Sequence, residues 1–294
     1  MDQRTIAVVG LGLMGTAMAE RLLAAGYTVV VHNRTRSKAD PLLARGAHWS
    51  DDPLADCPRV VISLYTTDTV REVLSSWWSR LRAGQILIDT TTGDPQQTSQ
   101  LGARLADRGV QYLDAPISGS SEQTRRGEAT ALVGGSAEAF RHCQDLWDCL
   151  TRHAFYAGPC GSGAKMKLVA NLVLGLNRAA LAEGLVFASA IGLDPAAAFE
   201  VLRGTVAYSR TMDTKGHKML DRDFAPQARL AQHLKDVRLI LETAGETGQP
   251  LPLSATHRQL LERAVTLGYG DADNSAVIQA LVTDGEQNDS SEPC

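Results

Sequence analysis

The stretch IAVVGLGLMGTAMAERLLAAGYTVVVHNRT, residues 6–35, decides how the first half of the chain folds. An apolar run, TIAVVG (5–10), ends in glycines at 10, 12 and 15, and a helix-like segment, TAMAERLLAA (16–25), follows. A second apolar run, TVVVH (28–32), comes next. GxGxxG spacing alone is a weak signal. Set between a strand and a helix, with a second strand close behind, it is the phosphate-binding turn of a dinucleotide fold. Gly10 permits the tight turn, Gly12 lets backbone approach a pyrophosphate, and Gly15 lets the helix pack closely on the strand. Unpaired N–H groups at the helix start, near Leu13 and Met14, then face the phosphate charge. Glycines in an ordinary strand–helix turn are the competing reading.

The end of the second strand selects the nucleotide. An NAD site usually has an acid there for the ribose hydroxyls. This chain has His32-Asn33-Arg34-Thr35, then Arg36 and Lys38. Arg34 can hold a 2′-phosphate through charge-assisted hydrogen bonds, and Asn33 and Thr35 can donate to ribose and phosphate. The expected cofactor is therefore NADP(H). If Arg34 is only a solvated loop cation, either nucleotide would serve. The strand ends SLYTTDT (63–69), with Leu64, Tyr65 and Thr66, and DTTTGDP (89–95) should also face the cofactor. For Thr66, Thr67 and Thr91, turn and N-cap chemistry competes with cofactor contact.

Working outward, strand-like runs recur at RVVISL (59–64), QILID (85–89), VQYLD (110–114) and ATALVG (129–134). Helix-like runs at 68–81 and 95–109 separate them. This alternation predicts an α/β domain with a doubly wound, mainly parallel sheet over 1–162. After Gly163 the strand signals stop. An all-α domain is expected over 163–283, with helices at 164–192, from Asp194-Pro195 onward, and at about 226–247, 252–267 and 274–282. The tail 284–294 has no apolar periodicity and reads as disordered.

The chain has 294 residues, 44% of them hydrophobic, and a formal net charge of −4. This is ample for a core and gives no electrostatic footprint for nucleic acid or an anionic membrane. Cys57, Cys143, Cys149, Cys160 and Cys294 lack CxxC spacing, so reduced thiols are expected rather than disulfides or zinc. MDQRTIAVVG lacks the features of a signal peptide. Charged and amide side chains interrupt the apolar run after 164, so no membrane span is expected. The small negative charge is what a cytoplasmic protein usually carries, and that location is the expectation.

KMKLVANL (165–172) sets Lys167 and Asn171 four residues apart, hence on one helix face. Apolar Leu168, Val169 and Leu172 suggest burial around them, and a buried lysine and amide need partners. A snorkelling lysine and a satisfied core amide are the bland explanation. The functional one is a site where Lys167 donates a proton or hydrogen bond to a carbonyl oxygen and Asn171 orients the same group. DAPISGS (114–120) supplies a Ser118-Gly119-Ser120 turn able to offer N–H groups and a hydroxyl to a carboxylate. HLKDVRLILE (233–242) adds Lys235 beside Asp236.

Through GLGLMG, DAPISGS, GSGAKMKLVAN, LKDVRL and GYGDADNSAVIQAL (268–281), nearly the whole chain resembles the β-hydroxyacid dehydrogenase family. That family includes 3-hydroxyisobutyrate dehydrogenases, tartronate semialdehyde reductases and glyoxylate/succinic semialdehyde reductases. The resemblance implies a Rossmann domain and a helical domain, joined by a long helix that helps build a homodimer or homotetramer. It implies an NADP(H)-dependent interconversion of a small carboxylated aldehyde and its hydroxy acid. Lys167 matches the family's catalytic lysine and Asn171 its substrate-orienting asparagine. Ser118 and Gly119 match the carboxylate turn, Thr92 the threonine near the nicotinamide, and Lys235 the lysine over the cofactor and active site.

Three features depart from the family pattern: Ala170 where a second asparagine is common, SGSSEQTRRGEA (118–129) in place of a glycine- and alanine-rich segment, and SLYTTD (63–68) in place of a Met-Leu-Pro-like loop. An imine reductase resembles this fold and cofactor, but commonly replaces the lysine. A 6-phosphogluconate dehydrogenase is longer and pairs its lysine with His-Asn. A non-catalytic NADP-binding module should have lost Lys167. The pocket shape is open, with Tyr208, Met212 and Lys215 as possible contributors.

Overall fold

The computed structural model describes residues 4–282. The expectation for 284–294 lies outside them, as does Cys294. Contacts divide the chain into two compact units, Met1–Lys167 and Leu168–Cys294. The sequence placed that boundary at 162/163.

The first unit contains a nine-stranded sheet in the order β3-β2-β1-β4-β5-β6-β8-β7, with β9 on β8. Its strands are β1 Thr5–Val9, β2 Thr28–His32, β3 His48–Trp49, β4 Arg59–Ile62, β5 Ile86–Asp89, β6 Gln111–Asp114, β7 Ile117–Ser118, β8 Thr130–Gly134 and β9 His153–Gly158. Strands β1 to β6 pair in parallel, and β8 pairs antiparallel with β6 and β7. Helices α1 Leu13–Ala24, α2 Asp40–Leu43, α3 Pro53–Asp56, α4 Thr67–Ser76, α5 Pro95–Ala106, α6 Ser121–Arg125, α7 Ala137–His142 and α8 Gln144–Leu150 alternate with the strands.

The strands are apolar at successive residues because both faces are covered. Ile6, Val8, Val29, Val31, Val61 and Ile88 enter one core layer. Ala7, Val9, Val30, Val60, Ile62 and Leu87 enter the other. The strand order runs in opposite directions from β1, towards β2 and towards β4. The Gly10–Gly12 turn leaves β1 at that reversal, where open sheets of this type bind ligands.

The sequence did not foresee β3, β7 and β9. The first two are two residues long, and β9 is exposed at most positions, so neither length nor alternation marked them.

The second unit is helical among the described residues. Helix α9 (Ser162–Ala190) enters it and is followed by α10 Pro195–Arg203, α11 Arg210–Leu220, α12 Leu230–Thr247 and α13 Pro252–Ala264. Asp194 caps α10 by accepting from the N–H groups of Ala196 and Ala197, and Pro195 occupies its first turn, as the sequence indicated. The helix expected from 226 starts at Leu230. The one expected to reach 267 passes into a π turn at Val265–Tyr269. The last is a 3-10 segment, Asn274–Ala280. Helix α11, with Gly216 inside it, was not among the expected helices. A Cβ there would lie 2.1 Å from Phe199 Cζ, so the glycine is what lets α11 approach α10. Leu181, Leu185, Phe199, Met212, Met219, Leu234, Val237 and Leu261 form the core.

By length and composition α9 could cross a membrane: its most apolar 18-residue window has a mean hydropathy of 1.4. The interruptions noted in the sequence do not remove that property. Only 33% of that window is buried, and the buried face of α9 carries Lys167, Asn171 and Arg178, all at or below 7% exposure.

Candidate active site

The glycine turn is built by close approach. Gly10 has φ +94°, and a Cβ there would lie 2.2 Å from Ser63 O. A Cβ on Gly15 would lie 1.9 Å from Gly10 O, so α1 rests directly on the turn. Gly12, the N-cap of α1, has nothing within 4 Å of where a Cβ would be. No side chain caps α1 and no acid lies in its first turn. The N–H groups of that turn and their partial positive charge thus face an open cradle, which fits a pyrophosphate.

Asn33 does not fill the part expected of it. Its Oδ1 accepts from Leu11 N at 2.9 Å and its Nδ2 donates to Thr35 O at 2.9 Å, so it braces the glycine turn against the end of β2. Arg36 lies over the Trp49 ring at 5.2 Å. Arg34 and Thr35 are exposed, and Arg34 makes no ion pair among the described residues. Leu13 is 40% exposed and Tyr65 51%, apolar surface beside the same turn.

The threonines at these strand ends mostly brace the loops that carry them. Thr66 caps α4 by accepting from Thr69 N at 3.2 Å. Thr67 Oγ1 accepts from Asp94 N at 2.9 Å, and Thr91 Oγ1 from Leu64 N at 3.1 Å. All three therefore do turn and cap work. Thr92 is half-buried at the end of β5. Beneath it Asp89 accepts from Thr91 N at 2.9 Å and from the Tyr112 hydroxyl at 2.5 Å. Burial pushes the Asp89 carboxyl up to about 6, against the pull of those donors.

Ser120 likewise departs from expectation. Its hydroxyl accepts from Gln123 N at 3.2 Å while its own N–H donates to Gln123 Oε1 at 2.9 Å, a capping box that opens α6. The N–H of Ser120 is thus spent, and Ser118 pairs with Thr130 of β8 in the sheet, with Gly119 following it. Arg125 of α6 pairs with Glu20 of α1 at 2.7 Å, and Arg126 with Glu128 at 3.4 Å. This departure from the family pattern fastens a surface helix.

Helix α9 carries Lys167, 7% exposed, and Asn171, 4% exposed. Leu168 is buried beside them, but Val169 is 55% exposed, contrary to the sequence expectation, because it falls on the opposite face. Asn171 Nδ2 donates to Asp236 Oδ2 at 2.9 Å, and Lys235 Nζ lies 3.0 Å from Asp236 Oδ1. A carboxylate accepts only from the amide nitrogen, so Asn171 turns its carbonyl oxygen and second N–H away from Asp236.

Seven residues further along α9, Arg178 reaches His233 Nε2 on α12 at 3.2 Å. The rings of His233 and His257 stand 5.2 Å apart. Burial, with Arg178 nearby, pushes His257 down to about 4. A Cβ on Gly175 would lie 2.6 Å from both rings, so that glycine admits them against α9. Lys215, a possible pocket residue by sequence, instead pairs in the core with Asp273 at 2.7 Å, and Met212 is in the core as well. Tyr208 is exposed and donates to Asp213.

Sequence reasoning missed Asp89, Arg178 and Asp273. Asp89 did carry a signal, an acid ending an apolar strand. Among the described residues no group of three or more metal-ligating side chains occurs.

Residues 5–158 match a family profile described as the NAD-binding domain of 6-phosphogluconate dehydrogenase. Residues 161–281 match one described as NAD-binding of NADP-dependent 3-hydroxyisobutyrate dehydrogenase. The chain is 31% identical to glyoxylate/succinic semialdehyde reductase 2, chloroplastic, of Arabidopsis thaliana, over 94% of this chain and 79% of that protein. It is 32% identical to 2-hydroxy-3-oxopropionate reductase of Escherichia coli, over 93% of this chain and 95% of that one. Among solved structures, 3-hydroxyisobutyrate dehydrogenase of Mycobacterium tuberculosis with L-serine superposes with a TM-score of 0.86 at 26% identity, covering 95% of this chain and 99% of that one.

Proposed function

The chain belongs to the β-hydroxyacid dehydrogenase family, and on that premise we propose that it is an NADP(H)-dependent oxidoreductase interconverting a small carboxylated aldehyde and its hydroxy acid. The observation that carries the reading is a buried lysine and a buried, carboxylate-anchored amide four residues apart on α9.

The nicotinamide, when bound, supplies the hydride. Gly10, Gly12, Leu13, Met14 and Gly15 hold the pyrophosphate at the start of α1. Leu64, Tyr65 and Thr66 border the nucleotide, and Thr92 lies near the nicotinamide. Arg34 and Thr35 meet the 2′-phosphate while Asn33 braces the turn. The exposure of Arg34 with no carboxylate partner among the described residues supports NADP over NAD, as does the NADP-dependent enzyme named in the second matched profile. Lys167 Nζ donates to the carbonyl oxygen as negative charge develops on it, and transfers the proton as the alcohol forms. Asn171, held by Asp236, orients the same group. The Ser118-Gly119 turn takes the carboxylate, and Lys235 adds positive charge. In the oxidative direction Lys167 accepts the proton back.

We further propose a homo-oligomer working in the cytoplasm. Val169, Val173, Phe187, Ile191 and Val201, each more than half exposed along α9 and beyond, support association between copies. The free thiols of Cys57, Cys143, Cys149 and Cys160 support a reducing compartment. A small acid is the expected partner, and nucleic acid and membrane are not.

The test is NADPH consumption, with NADH in parallel, across glyoxylate, succinic semialdehyde, methylmalonate semialdehyde, tartronate semialdehyde and one cyclic imine. Turnover of a carboxylated aldehyde with NADPH is expected. Turnover of the imine alone would overturn the role given to Lys167.

A further inference from the structure

Asp114 ends β6 and is 2% exposed. Its Oδ1 accepts from Gly161 N at 2.9 Å and its Oδ2 from Ala164 N at 2.8 Å. Gly161 precedes α9 and Ala164 lies in its first turn, where N–H groups have no partner within the helix. Both carboxylate oxygens are therefore spent on fixing where α9 begins, and the negative charge favours that helix end.

Two glycines make the approach possible. A Cβ on Gly134 would lie 2.4 Å from Asp114 Oδ1 and 2.7 Å from Gly163 N. A Cβ on Gly163 would lie 2.3 Å from Asp114 O and 2.4 Å from Leu132 O. Strands β6 and β8 and the start of α9 are thus locked around one carboxylate.

Lys167 stands three residues after Ala164, about 4.5 Å further along the axis and on the same side of the helix. In the other direction, the chain runs from Asp114 through three residues to Ser118. One buried side chain therefore sets the height and rotation of the turn bearing Lys167 and begins the segment bearing the 118–119 turn. We infer that Asp114 is a positioning residue, holding Lys167 in register with the reacting carbonyl through the first turn of α9. The inference rests on the role proposed above for Lys167.

An asparagine would turn an N–H against one of the two donors, so Asp114→Asn loses one bond and sets two donors in opposition. The experiment is a double-variant cycle on full-length protein: wild type, Asp114→Asn, Lys167→Ala and the pair. Each is charged with NADPH and mixed with succinic semialdehyde, or with the panel aldehyde that turns over fastest. The single-turnover rate is read per NADPH-binding site, which removes unfolded protein from the comparison. If Asp114→Asn does not fold, Asp114→Ser, which still accepts one N–H, takes its place.

Asp114→Asn alone should slow the step roughly 10- to 100-fold, as small misplacements of reacting groups do, with NADPH affinity unchanged. In the Lys167→Ala background it should add less than about twofold, because a residue acting through Lys167 has nothing left to position. Losses that multiply, or a single variant as fast as wild type while Lys167→Ala is slow, would overturn the inference. If Lys167→Ala itself retains the wild-type rate, the parent reading has failed and this inference falls with it.

Discussion

The glycine turn makes two neighbouring substitutions behave differently. In Gly15→Ala the new Cβ starts 1.9 Å from Gly10 O, and real Cβ contacts stay beyond 3.0 Å, so the helix and turn must separate by 3.0 − 1.9 = 1.1 Å or more. Both partners are backbone, so no side chain can absorb the strain. Overpacking of this kind costs about 1–3 kcal/mol, which at about 2–4 °C per kcal/mol lowers Tm by roughly 2–12 °C. The same displacement moves the N–H groups aimed at the pyrophosphate, and a loss of about 1.4 kcal/mol there is tenfold in NADPH affinity.

Gly12→Ala is the control. Gly12 has φ −78° and ψ −170°, open to alanine, and nothing lies within 4 Å of the added methyl. Its folding cost is that of alanine for glycine at an N-cap, about 0.5 kcal/mol. The methyl nevertheless stands where the pyrophosphate must approach, so NADPH binding should fall at least about tenfold. Thermal unfolding and fluorescence titration with NADPH read the two quantities separately. Gly15→Ala should lose both, and Gly12→Ala only the second. Wild-type NADPH affinity in Gly12→Ala would refute the placement of the phosphates over α1.

Other expectations follow from single residues. Arg34→Ala should weaken NADPH by roughly 10- to 100-fold, the worth of charge-assisted hydrogen bonds at about 1.5–3 kcal/mol, and leave NADH within about twofold; an unchanged preference in paired titrations would remove Arg34. Asp236→Ala should reduce turnover by about tenfold or more with NADPH affinity intact, since it removes the carboxylate that anchors the Asn171 amide; steady-state kinetics at saturating NADPH decide it. His257 is held near 4, below the usual 6.5, so between those values the unfolded chain binds the proton and the native one does not. Stability from this residue is thus present above pH 6.5 and lost as pH falls through 4, worth about 3 kcal/mol. Denaturant titrations should show wild type losing that much more than His257→Gln over this window, and parallel curves would contradict the burial argument. Comparison with the variant also cancels Asp89, whose raised carboxyl acts in the opposite sense, losing stability as pH rises from 3.8 to about 6.

Periodicity located the six principal strands and the long helix, because paired apolar layers and a two-faced helix write themselves into residue order. GxGxxG spacing between strand and helix located Gly10, Gly12 and Gly15: a Cβ on Gly10 or Gly15 would collide with backbone, while Gly12 keeps open the space a phosphate would take. Periodicity also set Lys167 and Asn171 on one face. It could not say that Asn33 and Ser120 are spent on bracing, since the same donors and acceptors suit a ligand or a neighbouring loop. The hubs were hidden for a related reason. Asp114 gathers Gly161 and Ala164 from about 50 residues away, and Asp273 gathers Lys215, Gln227 and Ala228. No local pattern records such distant partners.

The central claim is that Lys167 acts on the reacting carbonyl and does not hold the nucleotide. The measurement is a single-turnover comparison of wild type and Lys167→Ala, charged with NADPH and mixed with a carboxylated aldehyde, alongside an NADPH titration of both. The account predicts a loss of about two orders of magnitude or more in the chemical step with an unchanged NADPH dissociation constant. An equal loss in both quantities, or an unaltered chemical step, would contradict it.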